Sequence, residues 1–405
     1  MKILMVNKFL FPNGGSETYI FKLGNFLKEQ GHEVQYFGME HEGRCVGNAV
    51  DAYTSDMNFH NASAIQKISY SLKTIYSSEA RKKIRMVLND FKPDVVHLNN
   101  FNFQLTPSII LEIRSFEKKI GKKVKIVFTA HDYQLVCPNH MMKNVGTNEP
   151  CAKCLSGTYI NCLKQKCIHG SAMKSAIGMI EAYYWKIRKT YREIDVIISP
   201  SYFLAERISH NPDLDGRIEV FHNFIDTVQG TDEQTSAEQK PGDYVLYFGR
   251  YSEEKGIGTL LEVVKRMPDI PFVFAGSGPL EEAVNGISNI QNKGFLKSEE
   301  IYSLIQGARF TVIPSEWYEN CPFSVMESQM CGTPVLGADI GGIPELIDVG
   351  NTGELFESGN VEELEKKIKA LWETPRINIY KENCRQVRFD TLPEYYEKLM
   401  KIYNS

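Results

Sequence analysis

The chain has 405 residues, 42% of them hydrophobic and 24% charged, with a formal net charge of -4. This excludes a disordered chain and a small disulfide scaffold, and the length suits two or three domains with full cores. The charge is uneven, because residues 1–225 hold 29 Lys+Arg against 21 Asp+Glu, a balance of +8 that leaves -12 for the remainder.

Lys2 to Val6 predicts a short apolar strand, after which Phe11-Pro12-Asn13-Gly14-Gly15-Ser16-Glu17 opens a helix with apolar residues at Ile20, Leu23 and Leu27. Paired glycines at Gly14 and Gly15 would let backbone N–H groups reach a phosphate. The run Ile3 to Val6 is too short for a secretory signal and no segment approaches membrane-spanning length, so a cytoplasmic protein is expected. Asp94-Val95-Val96-His97 and Lys125 to Tyr133 predict further strands, each delivering a polar residue at its C-terminal edge, where ligands bind in open parallel sheets. His131 is the candidate contact there, and His97 reads as a core histidine.

Basic residues cluster in Lys67 to Arg85 and in Lys174 to Arg192, the second interrupted by Tyr183, Tyr184 and Trp185. Aromatics beside cations suit anionic lipid headgroups at a membrane surface; a solvated helix face packing its aromatics inward fits as well. The cations are spread out and no recognition motif accompanies them, which argues against nucleic acid as a partner. Five of the nine cysteines fall in one window, Cys137, Cys151, Cys154, Cys162 and Cys167. The spacing of Cys151, Cys154, Cys162 and Cys167 suits a tetrahedral structural zinc site in a reducing compartment; free buried thiols are the alternative.

A strandless, turn-rich stretch from Thr227 to Gly242 predicts a linker, after which strands and helices alternate again. Tyr244 to Phe248 predicts a strand ending at Gly249-Arg250, and Lys255 precedes a helix that includes Leu260 to Val264. Two cations at a strand end and a helix start outline a diphosphate clamp. Phe272 to Ala275 leads into Gly276-Ser277-Gly278-Pro279, a turn that a nucleotide can approach closely. Phe310 to Ile313 predicts a buried strand, followed by Glu319-Asn320-Cys321-Pro322-Phe323 at a helix start, Glu327 inside that helix and Gly332 at its end. A strand at Pro334 to Leu336 and a glycine turn at Gly341-Gly342 follow, and Leu392 to Tyr403 predicts a terminal helix.

The Glu319-x7-Glu327 spacing, with Asn320 and Pro322 beside the first glutamate, resembles the donor-site motif of retaining family 4 glycosyltransferases. Alternating strands and helices on both sides of the linker argue independently for parallel sheets covered by helices. The resemblance implies an α/β protein of GT-B fold, two Rossmann-like domains facing a cleft, with the C-terminal helix crossing back to the first. Residues 1–225 would form the acceptor-binding domain, with a cysteine-rich insert at 137–169 and a return helix at 386–405. Residues 240–385 would form the nucleotide-sugar domain. A similar cysteine insert occurs in some bacterial polysaccharide transferases of this type.

The resemblance further implies transfer of a hexose-type sugar from a UDP- or GDP-linked donor to a glycan or lipid-linked acceptor, at the inner face of a membrane and without a catalytic metal. Arg250 and Lys255 would stabilise the departing diphosphate, His131 and Glu319 would orient the sugar, and Glu327 would hold the ribose. Gly14, Gly15, Gly249, Gly276, Ser277, Gly278, Asn320, Cys321, Pro322 and Phe323 would complete donor binding. Base contacts would fall near Phe295 to Ser298.

An epimerase of similar architecture is the enzymatic alternative, which the Glu-x7-Glu region and the Arg-Lys pair disfavour. A non-catalytic scaffold would not need these side chains. A nicotinamide enzyme is disfavoured by Pro279 where a dinucleotide fingerprint continues to its last glycine. Asp213-Leu214-Asp215 has the letters of a metal-dependent transferase site but sits in a turn with no strand leading into it.

Overall fold

The computed structural model describes residues 1–56, 72–225 and 244–405. The expected linker and the start of the first basic cluster lie outside the described residues. The chain divides into two compact units, Met1–Phe221 with Leu392–Ser405, and His222–Thr391.

In the first unit, β1 (Lys2–Val6), β2 (Glu33–Phe37), β3 (Val95–Leu98) and β4 (Lys125–Thr129) are followed by a two-residue hairpin, β5 (Lys143–Asn144) and β6 (Glu149–Pro150), then β7 (Val196–Ser199) and β8 (Ile218–Val220). The main sheet has the order β2-β1-β3-β4-β7-β8 and every pairing is parallel. Its strands are apolar runs because both faces are covered; all four residues of β3 are buried. The flanking helices are α1 (Gly15–Glu29), α2 (Ser78–Phe91), α3 (Ser108–Ile120), the short α4 (Ile160–Lys164), α5 (Ala172–Ile187) and α6 (Tyr202–Ser209). Serines start three of them: Ser77, Ser171 and Ser201 accept from the N–H groups of Ala80, Lys174 and Leu204, a cap worth about 1 kcal/mol each.

The second unit contains β9 (Val245–Phe248), α7 (Ile257–Arg266), β10 (Phe272–Ala275), α8 (Glu281–Asn285), β11 (Ile290–Asn292), α9 (Ser298–Gly307), β12 (Phe310–Ile313), α10 (Phe323–Met330), β13 (Val335–Ala338), β14 (Gly353–Phe356), α11 (Val361–Glu373) and α12 (Ile377–Gln386). Its sheet has the order β11-β10-β9-β12-β13-β14, again all parallel. This is the strand order of the doubly wound nucleotide-binding domain, with its switch point between β9 and β12. Phe272, Phe274, Phe310, Val312, Val325 and Met326 lie in its core, each burial stabilising the unit by about 1.5–3 kcal/mol relative to exposure.

The last helix, α13 (Leu392–Asn404), groups with the first unit, whose returning segment starts at Leu392. Its tyrosines explain why. His97 is fully buried, with Nδ1 bonded to the Tyr403 hydroxyl at 2.6 Å and Nε2 to Thr129 Oγ1 at 2.7 Å. Tyr19 continues the chain of bonds, to Thr129 at 3.2 Å and to the Tyr395 hydroxyl at 2.8 Å. Without α13 these buried polar groups would lose partners, at about 1–3 kcal/mol each.

Candidate functional site

Ligands of open parallel sheets bind beyond the C-terminal strand ends at the switch point. In the second unit that position is formed by the residues after β9 and β12. Gly249 and the exposed Arg250 follow β9; Arg250 makes no ion pair among the described residues. The turn after β10 packs flush on them: Tyr251 N–H donates to Ser277 O at 2.9 Å, and a Cβ on Gly276 would stand 1.9 Å from the Gly249 carbonyl oxygen. Only glycine permits that approach. Gly278 belongs to the same turn, beneath the buried Tyr251.

The loop after β12 carries Glu319, and α10 starts at Phe323 with Pro322 as its N-cap residue. Glu327 lies within the helix and Gly332, in the left-handed region, follows its end. Asn320, Pro322 and Phe323 are partly exposed, whereas Cys321 is buried, its thiol pushed up to about 12 by burial and its carbonyl accepting from Asn223 Nδ2 at 3.0 Å. The Cys321 side chain therefore packs inward beneath the loop. Gly341, with φ at +64°, holds the loop from below: a Cβ there would meet the Glu319 carbonyl oxygen at 2.3 Å, and Gly342 N–H donates to that same oxygen at 2.7 Å.

Lys255 and Glu319 are brought together. Lys255 Nζ lies 2.5 Å from Glu319 Oε1, which also accepts from Ser315 Oγ at 2.9 Å. Burial by itself would raise the Glu319 carboxyl, but the Lys255 ammonium and these hydrogen bonds outweigh it and hold the group below the usual carboxylate range. Lys255 also lies over the Trp317 ring, 5.5 Å from its centroid. The sequence treated the lysine and the glutamate as separate tools; the structure makes them one ion pair.

In the first unit, Gly14 is the N-cap residue of α1 and Gly15 its first residue. With φ at 178°, Gly14 has extended backbone that any residue adopts. Directly beneath lies Glu17, buried, accepting from Asn7 Nδ2 at 2.8 Å and Ser16 Oγ at 2.9 Å; Asn100 Nδ2 donates to Ser16 Oγ at 2.9 Å. A carboxylate already occupies this helix start, which weakens it as a phosphate site. The sequence reading missed Glu17, Asn7 and Asn100, although polar residues right after the apolar runs of β1 and β3 were the available signal.

His131 follows β4. Its Nε2 is 2.9 Å from Asn99 Oδ1, and Tyr19 packs edge-on at 5.1 Å. Asn99 Nδ2 faces two carbonyl oxygens at 3.4 Å, an orientation that turns its own oxygen to His131 and makes Nε2 the protonated nitrogen. Burial pushes His131 down to about 4, so it is a neutral hydrogen-bonding group. Next to it, burial raises the Asp132 carboxyl, which accepts from Gln134 N–H at 2.9 Å and Asn102 Nδ2 at 3.3 Å.

Two other sequence readings are resolved in detail. Arg81 and Arg85 both pair with the buried Glu112, at 2.7 and 2.5 Å, so they serve α2–α3 packing. Trp185 is fully buried and stacks on Tyr76, while Tyr183 packs on Tyr159; these aromatics face inward. Asp213 pairs with Arg192 at 2.5 Å in a short turn, which leaves the Asp-x-Asp letters structural.

All nine cysteines are free thiols. Cys151, Cys154, Cys162 and Cys167 do converge on one small cavity, joined by Cys137. Among the described residues, however, no three His, Cys, Asp or Glu side chains are gathered as a preformed metal-binding group. The expected zinc ligands share a cavity but are not arranged for coordination as they stand; Cys154, Cys162 and Cys167 pack with Tyr159 as a buried apolar cluster.

Comparison with known proteins agrees with this architecture. Residues 13–229 match the family described as Glycosyltransferase Family 4, and residues 228–387 match Glycosyl transferases group 1. The chain belongs to glycosyltransferase family 4 and is a glycosyltransferase of GT-B fold, so the epimerase reading falls away. An uncharacterized 42.6 kDa protein in the cps region of Klebsiella pneumoniae is 22% identical over 85% of this chain and 87% of its own. The O-antigen chain mannosyltransferase C of Escherichia coli is 28% identical over 37% of this chain and 42% of its own. HepE of Anabaena, solved in complex with UDP, superposes over the whole of both chains with a TM-score of 0.66 at 15% identity.

Proposed function

We propose that this glycosyltransferase is a retaining, metal-independent hexosyltransferase of cell-surface polysaccharide biosynthesis, using a UDP- or GDP-linked sugar and a glycan or lipid-linked acceptor. The observation that carries this reading is the Lys255–Glu319 pair beside the close-packed glycine turns at the switch point of the second sheet, with the exposed Arg250 just after β9. In the reaction the bond from C1 to the diphosphate oxygen breaks, the acceptor oxygen bonds C1, and the acceptor proton passes to the departing diphosphate. Arg250 and Lys255 face the charge that develops there; fixed cations act most strongly where water is excluded. Glu319 holds Lys255 in place and offers its carboxylate to sugar hydroxyls, with the backbone of Asn320 to Phe323 beside it. Glu327 holds the ribose. Phe295, 80% exposed beyond β11, offers a ring face to the base. In the first unit His131 and Asp132, after β4, are the proposed sugar contacts. The Klebsiella relative's cps region, the mannosyltransferase and the UDP complex of HepE support polysaccharide chemistry and a nucleotide donor.

A panel of nucleotide sugars in a thermal-shift assay tests the donor. At a hundredfold excess over Kd, the correct donor should add about 2.7 kcal/mol of stability in EDTA. No response to any UDP- or GDP-sugar, or one that needs a divalent ion, overturns this reading. The anomer of the product, read by NMR, checks retention.

Contact with an anionic membrane is proposed for α5. Met173, Ile180 and Ile187, spaced by seven on one face, are 69%, 50% and 77% exposed, among the exposed Lys174, Arg188 and Lys189. Among the described residues no helix is long and apolar enough to cross a membrane. The protein should sediment with anionic vesicles, be released by salt, and lose binding in Ile180→Asp/Ile187→Asp. Equal binding to neutral vesicles argues against the charge component, and unchanged binding of the double variant excludes α5.

A further inference from the structure

We propose that the cysteine insert between β4 and α5 binds one zinc ion through four of its five thiolates, and that this ion orders the turn carrying His131 and Asp132. All five cysteines of the insert, Cys137, Cys151, Cys154, Cys162 and Cys167, line a single cavity of about 10 Å³, room for one small occupant. The insert has little else to hold it. Its regular structure is the two-residue hairpin β5–β6 and the five-residue α4, and residues in the left-handed region recur at His140, Met142, Asn148, Lys166 and His169. The buried cluster within it consists of Cys154, Cys162 and Cys167 with Tyr159. A loop-rich module with so small a core needs a cross-link, and thiolates alone select a soft ion that accepts tetrahedral coordination.

Binding requires the side chains to move, since the five thiols share the cavity but do not form a metal-binding group as they stand. Four thiols release four protons to the solvent and four Zn–S bonds form, leaving a net charge of two minus on the centre. The buried Lys143, also on the cavity wall, offsets part of it. The insert is joined to the turn carrying His131 and Asp132 through its backbone: Cys137 N–H donates to Tyr133 O at 2.9 Å, and Tyr133 N–H to His140 O at 3.1 Å. That connection is independent of the donor reading.

Metal analysis of the full chain, purified under reducing conditions from zinc-supplemented culture, should find about one zinc per chain. The double variant Cys154→Ser/Cys162→Ser, which leaves three of the five thiols, should lose it, whereas Cys45→Ser, whose thiol is exposed outside the insert, should keep it. Should the insert variants fail to fold, the wild-type chain decides the matter. Chelation should lower its Tm, zinc should restore it, and cobalt(II) added to the stripped protein should show the thiolate-to-metal charge-transfer band. A metal-free chain whose Tm ignores chelators, or a disulfide among these cysteines in the native protein, overturns the proposal. Neither result bears on the donor panel, so the two readings fail separately.

Discussion

Lys255→Ala is expected to lower kcat by about a hundredfold or more, the usual loss when one preorganised electrostatic group is removed. It should also cost stability, because Glu319, with 10% of its side chain exposed, would keep its charge without a partner. Breaking a buried pair costs about 3–5 kcal/mol; the 29% exposure of Lys255 puts this case at the low end. The double variant Lys255→Ala/Glu319→Gln separates the two roles. It removes the unpaired charge, so Tm should recover substantially while kcat stays low. Recovery of both would mean that the pair only holds the loop, and the diphosphate role of Lys255 would be withdrawn. Arg250→Ala, exposed and outside any ion pair among the described residues, should lower kcat with little change in Tm. Glu327→Ala should raise KM for the donor with little loss of kcat, since a ribose contact is equally present in ground and transition states.

Acid should destabilise the first unit through its buried imidazoles. Burial pushes His97 down to about 3, helped by the neighbouring His131, and His131 down to about 4, against an ordinary value of 6.5. In the unfolded chain both groups take up protons as pH falls below 6.5, while in the folded chain they do not until pH 3–4. The unfolded state therefore binds more protons across that window, and stability falls with falling pH by up to about 1.4 kcal/mol per pH unit for each imidazole. Denaturant titrations between pH 7 and pH 4.5 should show this slope, and His97→Gln should reduce it. Because His131 stays neutral, kcat should show no titration near pH 6.5. A flat stability profile, or an activity limb at pH 6.5 that disappears in His131→Gln, would refute the neutral assignment.

Local chemistry by itself determined much of this protein. Apolar runs such as Phe310 to Ile313, short and bounded by turn signals, read as strands buried on two faces, and Gly276 and Gly341 mark places where no side chain fits. Glu319 before a helix and Glu327 inside it follow from Pro322 and Gly332, since proline starts helices and glycine ends them. Partnership across long sequence separations was decided only by tertiary structure. Lys255 and Glu319 are both charged in the sequence, but nothing local says that they neutralise each other. Likewise, Glu112 draws in Arg81 and Arg85, and α13 completes the His97 network with Tyr403, because buried polar groups must find partners wherever the fold supplies them. Cys137 joined the other four thiols for the same reason: sequence spacing reads neighbours along the chain, and the cavity gathers neighbours in space.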